Sequence, residues 1–564
     1  MQETRRWLTA LSLCALTAIC GNALAAEEPD YTDVNAYILQ AEMALQRNDY
    51  LEAVREYRKA AELSDNPDIA RQATFTGMAF GFDDEALRAA KRWFELSNKS
   101  PEVRAVVAQL SLRTGDTRTA KREFSRLLEE SEEPPGDKLL ALTRFLAEED
   151  DAAAVDKLVR ALSKPYKNSP AAHRAAAMTA LANDDYEHAA MRAQKAIELD
   201  PSDISLRLLY ARTLLSAGKV DEAIDYTARL VGDDPDPDPS ARVELAIMYM
   251  MAERTDAALS QLSQVMLEQP QQWDALRLMG IINFHAGNLD AAWTDFSDLL
   301  DTGRHRMDAL HYLGRIADIR EETDNAIRFY SEVTHGSNAL ISQQRAAALL
   351  AHEKDDLKGA IRLLDDFAIS SPPDAVDVLR VKGQLLASVD EHEEALKFYD
   401  KAIRYRPGEE RIALARAELL LRMDRLDDAV LAYADAVERW PGSAMALNAY
   451  GYTLADRTDR FREAEKLIRR ALKLEPDSAA IIDSMGWVLF KLGRHEEALA
   501  ELERAYDGMS SVEGADEVAA HIIETLMALD RSDTALERLA EAEEQWPDSE
   551  FLEDVRERLF SESP

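Results

Sequence analysis

The sequence predicts an all-α solenoid of stacked helix pairs, and three observations carry that prediction. Small residues recur with a period of about 34 residues along nearly the whole 564-residue chain. Glycine (21) and proline (19) are too sparse for a turn-rich β protein. The abundant alanine, leucine, glutamate and arginine lose little freedom in a helical turn. At 46% hydrophobic the chain has enough apolar surface for extensive burial.

Residues 1–25 read as a secretory signal. Arg5 and Arg6 precede a mostly apolar stretch from Trp7 to Cys20, and Ala23-Leu24-Ala25 supplies a small-x-small cleavage site before Ala26. The stretch is shorter than the ~20 residues of a membrane span. Both cysteines, Cys14 and Cys20, fall inside it, so a chain starting at Ala26 has no thiol for a disulfide or a metal. Neither is preceded by a small residue, as lipidation requires. The expected location is the periplasm, with an outer-membrane lipoprotein facing the periplasm as the alternative. Residues 26–33 are a short leader.

From Val34 to Asp548 each unit reads as two helices. The first carries a Gly or Ala where the pair approaches closely. The second carries an Ala, an aromatic or Leu four residues on, and a small residue after that. Ala41, Ala53, Tyr57 and Ala60 open the series, followed by Gly77, Ala89, Trp93 and Pro101. Weaker units surround Ala120 with Phe124, and Leu158. Ala177, Ala211, Ala246, Gly280 and Gly314 continue it, then Ala348, Gly383, Ala417, Gly451 and Gly486, with a degenerate unit around Ile523. Prolines such as Pro67, Pro270 and Pro441 are expected to stop the second helices. This pattern is similar to the tetratricopeptide (TPR) repeat, which implies a superhelix of about fifteen helix-turn-helix units. Residues 549–564 read as a capping helix with Ser549 at its start. The acidic, proline-rich run at 232–239 is the expected joint, and 131–137 and 508–516 are the other loose places.

The formal net charge is −38, from 105 acidic against 67 basic residues. That disfavours nucleic acid, which needs a cationic footprint, and passive binding to anionic lipid. Solubility accounts for the acidity, with an acidic groove steering basic partners as the sharper reading. No phosphate loop, dinucleotide fingerprint or nucleophile elbow occurs. The ten histidines are scattered, and His305 and His311 are six apart, on different helix faces. The expectation is a protein with no catalytic residues, no cofactor and no metal.

Binding is where the residues speak. In such a solenoid the first helices line the concave face, and residues three before, one after and four after the small position point into the groove. In the Gly451 and Gly486 units these are Asn448, Tyr452 and Ala455, then Asp483, Trp487 and Phe490. Rings without an intramolecular packing duty are candidate anchors for a partner. The competing reading packs Trp487 and Tyr452 against adjacent helices. A second candidate stretch holds Ile247, Met250 and Met251, then Ile281 and Phe284, then His311 and Arg315.

Two segments go beyond a generic repeat. Asn448-Ala449-Tyr450-Gly451-Tyr452-Thr453-Leu454-Ala455-Asp456-Arg457-Thr458 and Ile482-Asp483-Ser484-Met485-Gly486-Trp487-Val488-Leu489 resemble long TPR proteins of proteobacterial envelopes, usually outer-membrane lipoproteins. The resemblance implies an adaptor of a periplasmic carboxyl-terminal processing protease that presents cell-wall hydrolases for degradation. The missing lipobox is a departure and bears on anchoring. The alternative class is an assembly factor for a polysaccharide exporter, secretin or pilus.

Overall fold

The computed structural model describes residues 34–47, 49–130, 132–232, 237–509 and 514–561. The signal and leader expected over 1–33 lie outside the described residues. So do 233–236 of the acidic run, Ser131 and 510–513. Among the described residues the chain forms 31 α-helices, two short 3-10 turns and no strand. Helices alternate along the chain as first and second members of antiparallel pairs. A final helix, Glu550–Ser561, follows the last pair and takes an N–H···Oγ bond from Leu552 to Ser549.

Local sequence sets where each helix begins. Pro67, Pro101, Pro170 and Pro239 sit in the first turns of helices they open, where no backbone N–H is needed. The preceding second helices end earlier, at Leu63, Leu96, Ser163 and Gly232, so these prolines open the next helix and do not stop the last one, contrary to the expectation for Pro67. Asn66, Ser169, Asp203 and Ser443 each accept a backbone N–H two or three residues on. The turn inside most pairs takes a left-handed residue, although the one between Ala444–Arg457 and Phe461–Leu474 has none. Gly287 supplies it at φ +78°, whereas Glu253, Glu321 and Asp424 occupy the same place at φ 58°, 60° and 55°.

The chain divides into two compact units between Lys167 and Asn168. In the first, Ala41, Tyr57, Ala70, Trp93 and Leu110 form a core between successive pairs. An ion pair, Arg104 to Glu123 at 2.8 Å, is buried there. In the second unit the same layering continues through Ala211, Ile224, Leu245 and Met248. That cluster spans the acidic proline run, and Arg212 pairs with Glu244 across it. No unit boundary falls at the expected joint, 232–239, because one apolar cluster joins the helices before and after it.

Acid is unevenly spread in the second unit. The second helix Leu289–Asp301 carries Asp290, Asp295, Asp298 and Asp301 and no base. The first helix Ala339–His352 has no acidic residue at all.

Candidate partner-binding groove

Close approach within each pair explains the small residues. A Cβ on Gly280 would lie 2.8 Å from Phe296, on Gly314 2.7 Å from Tyr330, and on Gly383 2.8 Å from Tyr399. On Gly486 it would meet Leu502 Cγ at 2.5 Å. With that face buried, residues three before, one after and four or five after the small position fall on the side where successive first helices meet.

There the structure corrects the expected C-terminal anchors. Trp487 is only 5% exposed. Its ring stacks on Phe490 (5.1 Å) and on His521 (4.2 Å), with Lys491 Nζ 4.3 Å from its centroid. Trp487 Nε1 donates to Asp456 Oδ1 at 3.3 Å. Tyr452 is half-buried and donates its hydroxyl to Glu517 Oε1 at 2.7 Å, two repeats away. Asp483 is buried and meets His521 Nδ1 at 2.9 Å. Each of these side chains therefore has a packing duty, contrary to the sequence expectation. Three successive first helices, Ala444–Arg457, Ala479–Lys491 and Ala515–Ala528, contribute side chains to one cluster of rings, in which Trp487 stacks on Phe490 and His521 and Tyr452 lies tilted to His521. Asn448 differs: its Oδ1 is buried without a hydrogen-bond partner among the described residues.

Electrostatics follow from that burial. Burial, then the Glu517 carboxylate, pushes the Tyr452 phenol well above its ordinary range. Burial opposes a charge on His521, yet Asp483, with Glu517 and Glu524 behind it, holds the imidazole above its usual value.

The second stretch is split. Phe284 and His311 are buried, Phe284 lying edge-on to Tyr312 at 5.3 Å with the Arg315 guanidinium 4.4 Å over it. Ser342 gives its single hydroxyl hydrogen to Asn338 O (2.7 Å), so in the 2.9 Å contact His311 Nδ1 is the donor. Burial, followed by the Arg315 charge, lowers the His311 pKa to about 4. Met250 is half-buried, while Met251 stays 60% exposed.

Open space lies elsewhere, at a cavity of about 390 Å³ among helices Ala339–His352, Ala375–Ser388 and Glu410–Arg422. Its floor is apolar and buried: Val381, Leu385, Tyr399 and Leu419. Half-buried Ala348, Ala387 and Ala415 widen it. The rim is polar. His352 Nε2 meets Ser388 Oγ at 3.0 Å, and Arg422 donates to Glu418 at 2.7 Å. Gln344 and Gln384 complete it, and Arg380 donates to Gln384 at 2.9 Å. Burial, then Glu418, raises the Tyr399 phenol to about 12.

Fully buried Ala347, not Ala348, takes the close-approach position. The turn after helix Ala339–His352 has one extra residue: Asp356 N–H reaches back six, to Leu350 O, where Glu391 N–H reaches five, to Leu386 O.

Residues 180–246 match the tetratricopeptide-repeat family, and so do residues 243–305, 345–410, 414–479 and 453–512. The chain is a tetratricopeptide-repeat protein. A TPR repeat-containing protein of Pseudomonas aeruginosa is 34% identical over 218 residues, 38% of this chain and 36% of that relative. The mitochondrial import receptor subunit TOM70 of Homo sapiens is 24% identical over 245 residues, 42% of this chain and 34% of its own. The alignments thus span about a third of those relatives' length. Among solved structures, yeast Tom70 aligns over 94% of this chain and 97% of its own at 16% identity and TM-score 0.33. PilW, a type IV pilus biogenesis factor, aligns over 39% of this chain and 99% of its own at 17% identity and TM-score 0.32.

In the TPR register the residue just after the small one is Ala348, Gln384 and Glu418 in three successive units, then Tyr452 and Trp487. Aromatic letters drew the sequence reading to the last two. The cavity was missed because alanines and glutamines carry no such mark, and because the one-residue slip hid Ala348. Among the described residues no group of His, Cys, Asp and Glu is placed to hold a metal, and no helix is long and apolar enough to cross a membrane.

Proposed function

We propose that this TPR protein is a non-catalytic adaptor of a bacterial envelope, exported to the periplasm, that binds a carboxyl-terminal processing protease and brings cell-wall hydrolases to it. The coarser part, a protein-binding scaffold, is what tetratricopeptide repeats imply. The finer part rests on the two segments that resemble such envelope proteins. One observation supports treating them as a unit: they touch, through Trp487 Nε1 and Asp456, in adjacent first helices.

Affinity purification from envelopes with mass spectrometry tests the reading. Recovery of a processing protease together with hydrolases is the expected result. Recovery of exporter, secretin or pilus subunits in their place replaces the adaptor with an assembly factor. Intact mass of the mature chain tests export: a start at Ala26 is expected, and a diacylglyceryl group on Cys20 would convert the soluble protein into a lipoprotein.

A further inference from the structure

We propose that the cavity among helices Ala339–His352, Ala375–Ser388 and Glu410–Arg422 seats a tyrosine or tryptophan side chain, next to an acidic residue, from an extended segment of a partner protein. This deepens the scaffold reading and rests on it.

The chain itself shows what fits at this position of the groove. After Gly451 and Gly486 it places Tyr452 and Trp487, and these rings fill the space between successive first helices. After Ala347, Gly383 and Ala417 it places Ala348, Gln384 and Glu418, and about 390 Å³ stays open. That volume is within the range of about 300–1,000 Å³ usual for ligand sites. Its floor of Val381, Leu385, Tyr399 and Leu419 offers a ring the apolar surroundings that Trp487 has in its own unit.

A polar hydrogen on that ring also has a destination. Tyr452 and Trp487 each give theirs to a carboxylate, Glu517 at 2.7 Å and Asp456 at 3.3 Å. The cavity presents Glu418 at its exposed rim, with Arg422 as its neighbour. A phenylalanine or leucine would leave that acceptor unused, so the chemistry selects a ring with a donor.

Charge narrows the partner further. Arg380 donates to Gln384 and has no acidic partner among the described residues. Helix Ala339–His352 beside it has no acid either. Arg422 offsets Glu418 on the rim, which leaves Arg380 as the charge without an acidic counterpart, so in a chain of net charge −38 this stretch of the groove accepts a negative residue beside Arg380. Gln344 and Gln384, on two walls, offer amides that pair with both the N–H and the C=O of an extended backbone.

The test uses the full chain and fluorescein-labelled Gly/Ser-rich peptides with a central Asp-Trp, Asp-Tyr, Asp-Phe or Asp-Ala, read by fluorescence anisotropy. The Trp and Tyr probes should bind about thirtyfold more tightly than the Ala probe, the effect of one buried aromatic anchor. Glu418→Leu, which removes the acceptor, should bring the Tyr probe down to the level of the Phe probe. Ala348→Trp, which supplies the ring internally, should reduce the Trp probe to the Ala level with helix content intact. Ala387→Phe closes the same cavity from another helix, so a fold lost in one variant leaves the other as the test. Equal binding of the Trp and Ala probes overturns the proposal, as does Trp-probe binding that survives cavity filling in a folded variant. Wild type and Ala348→Trp capturing the same envelope proteins equally would overturn this seat and leave the scaffold. A wild type that captures none would overturn both.

Discussion

The indole of Trp487 lies face to face with the imidazole of His521, ring centroids 4.2 Å apart and planes 21° from parallel. The two residues belong to first helices of successive repeats, so their stack closes the groove at the point where the sequence promised an open anchor. His521 is fixed in turn by Asp483 at 2.9 Å.

Trp487→Ala is therefore a folding mutation. It removes a ring that is 5% exposed and leaves His521 and Phe490 facing a void, at a cost of about 3–5 kcal/mol. Urea unfolding and hydrogen exchange should show the loss centred on residues 479–528. Full protection there in the variant would return Trp487 to the surface.

Opposite pH slopes are expected at two buried histidines. His521 has a folded pKa above its ordinary 6.5, so its stabilisation is complete below pH 6.5 and is lost as pH rises through the folded value. His311 has a folded pKa lowered to about 4, so stability falls as pH drops from 6.5 toward 4, by about 3 kcal/mol at most. Local hydrogen exchange against pH, in wild type, His521→Gln and His311→Gln, reads both. Parallel slopes at the two sites would refute the assignment.

Gly383→Leu and Gly486→Leu should each destabilise by at least about 1–3 kcal/mol, since even a Cβ meets Tyr399 at 2.8 Å or Leu502 at 2.5 Å. Exposed Glu393→Gln should stay within about 0.5 kcal/mol. Denaturant midpoints separate the two classes.

Glu253→Gly should stabilise by about 0.5–1 kcal/mol. Glu253 is exposed and holds φ 58°, a left-handed strain of about 1–2 kcal/mol that glycine lacks, offset in part by glycine's greater unfolded entropy. A lower melting temperature for the variant would show that the side chain makes a contact of greater worth.

The sequence alone determined the repeating helix pair, because the close approach at Gly280, Gly314, Gly383 and Gly486 leaves no room for a side chain, and that constraint is written in the letters. The prolines and the Asn, Asp and Ser caps are local in the same sense, acting within a turn of their own position. Only the tertiary structure decided which groove residues are filled and which are open. Trp487 and Tyr452 look like free anchors until His521 and Glu517, 34 and 65 positions away, are brought against them. Ala348 looks like a packing residue until one extra residue in the 353–356 turn rotates Ala347 into its place and leaves a cavity beside it. A period along the chain fixes what each helix does with its own pair. What it does with the next repeat depends on the curvature and register of successive pairs, which side-chain volumes across the stack set together.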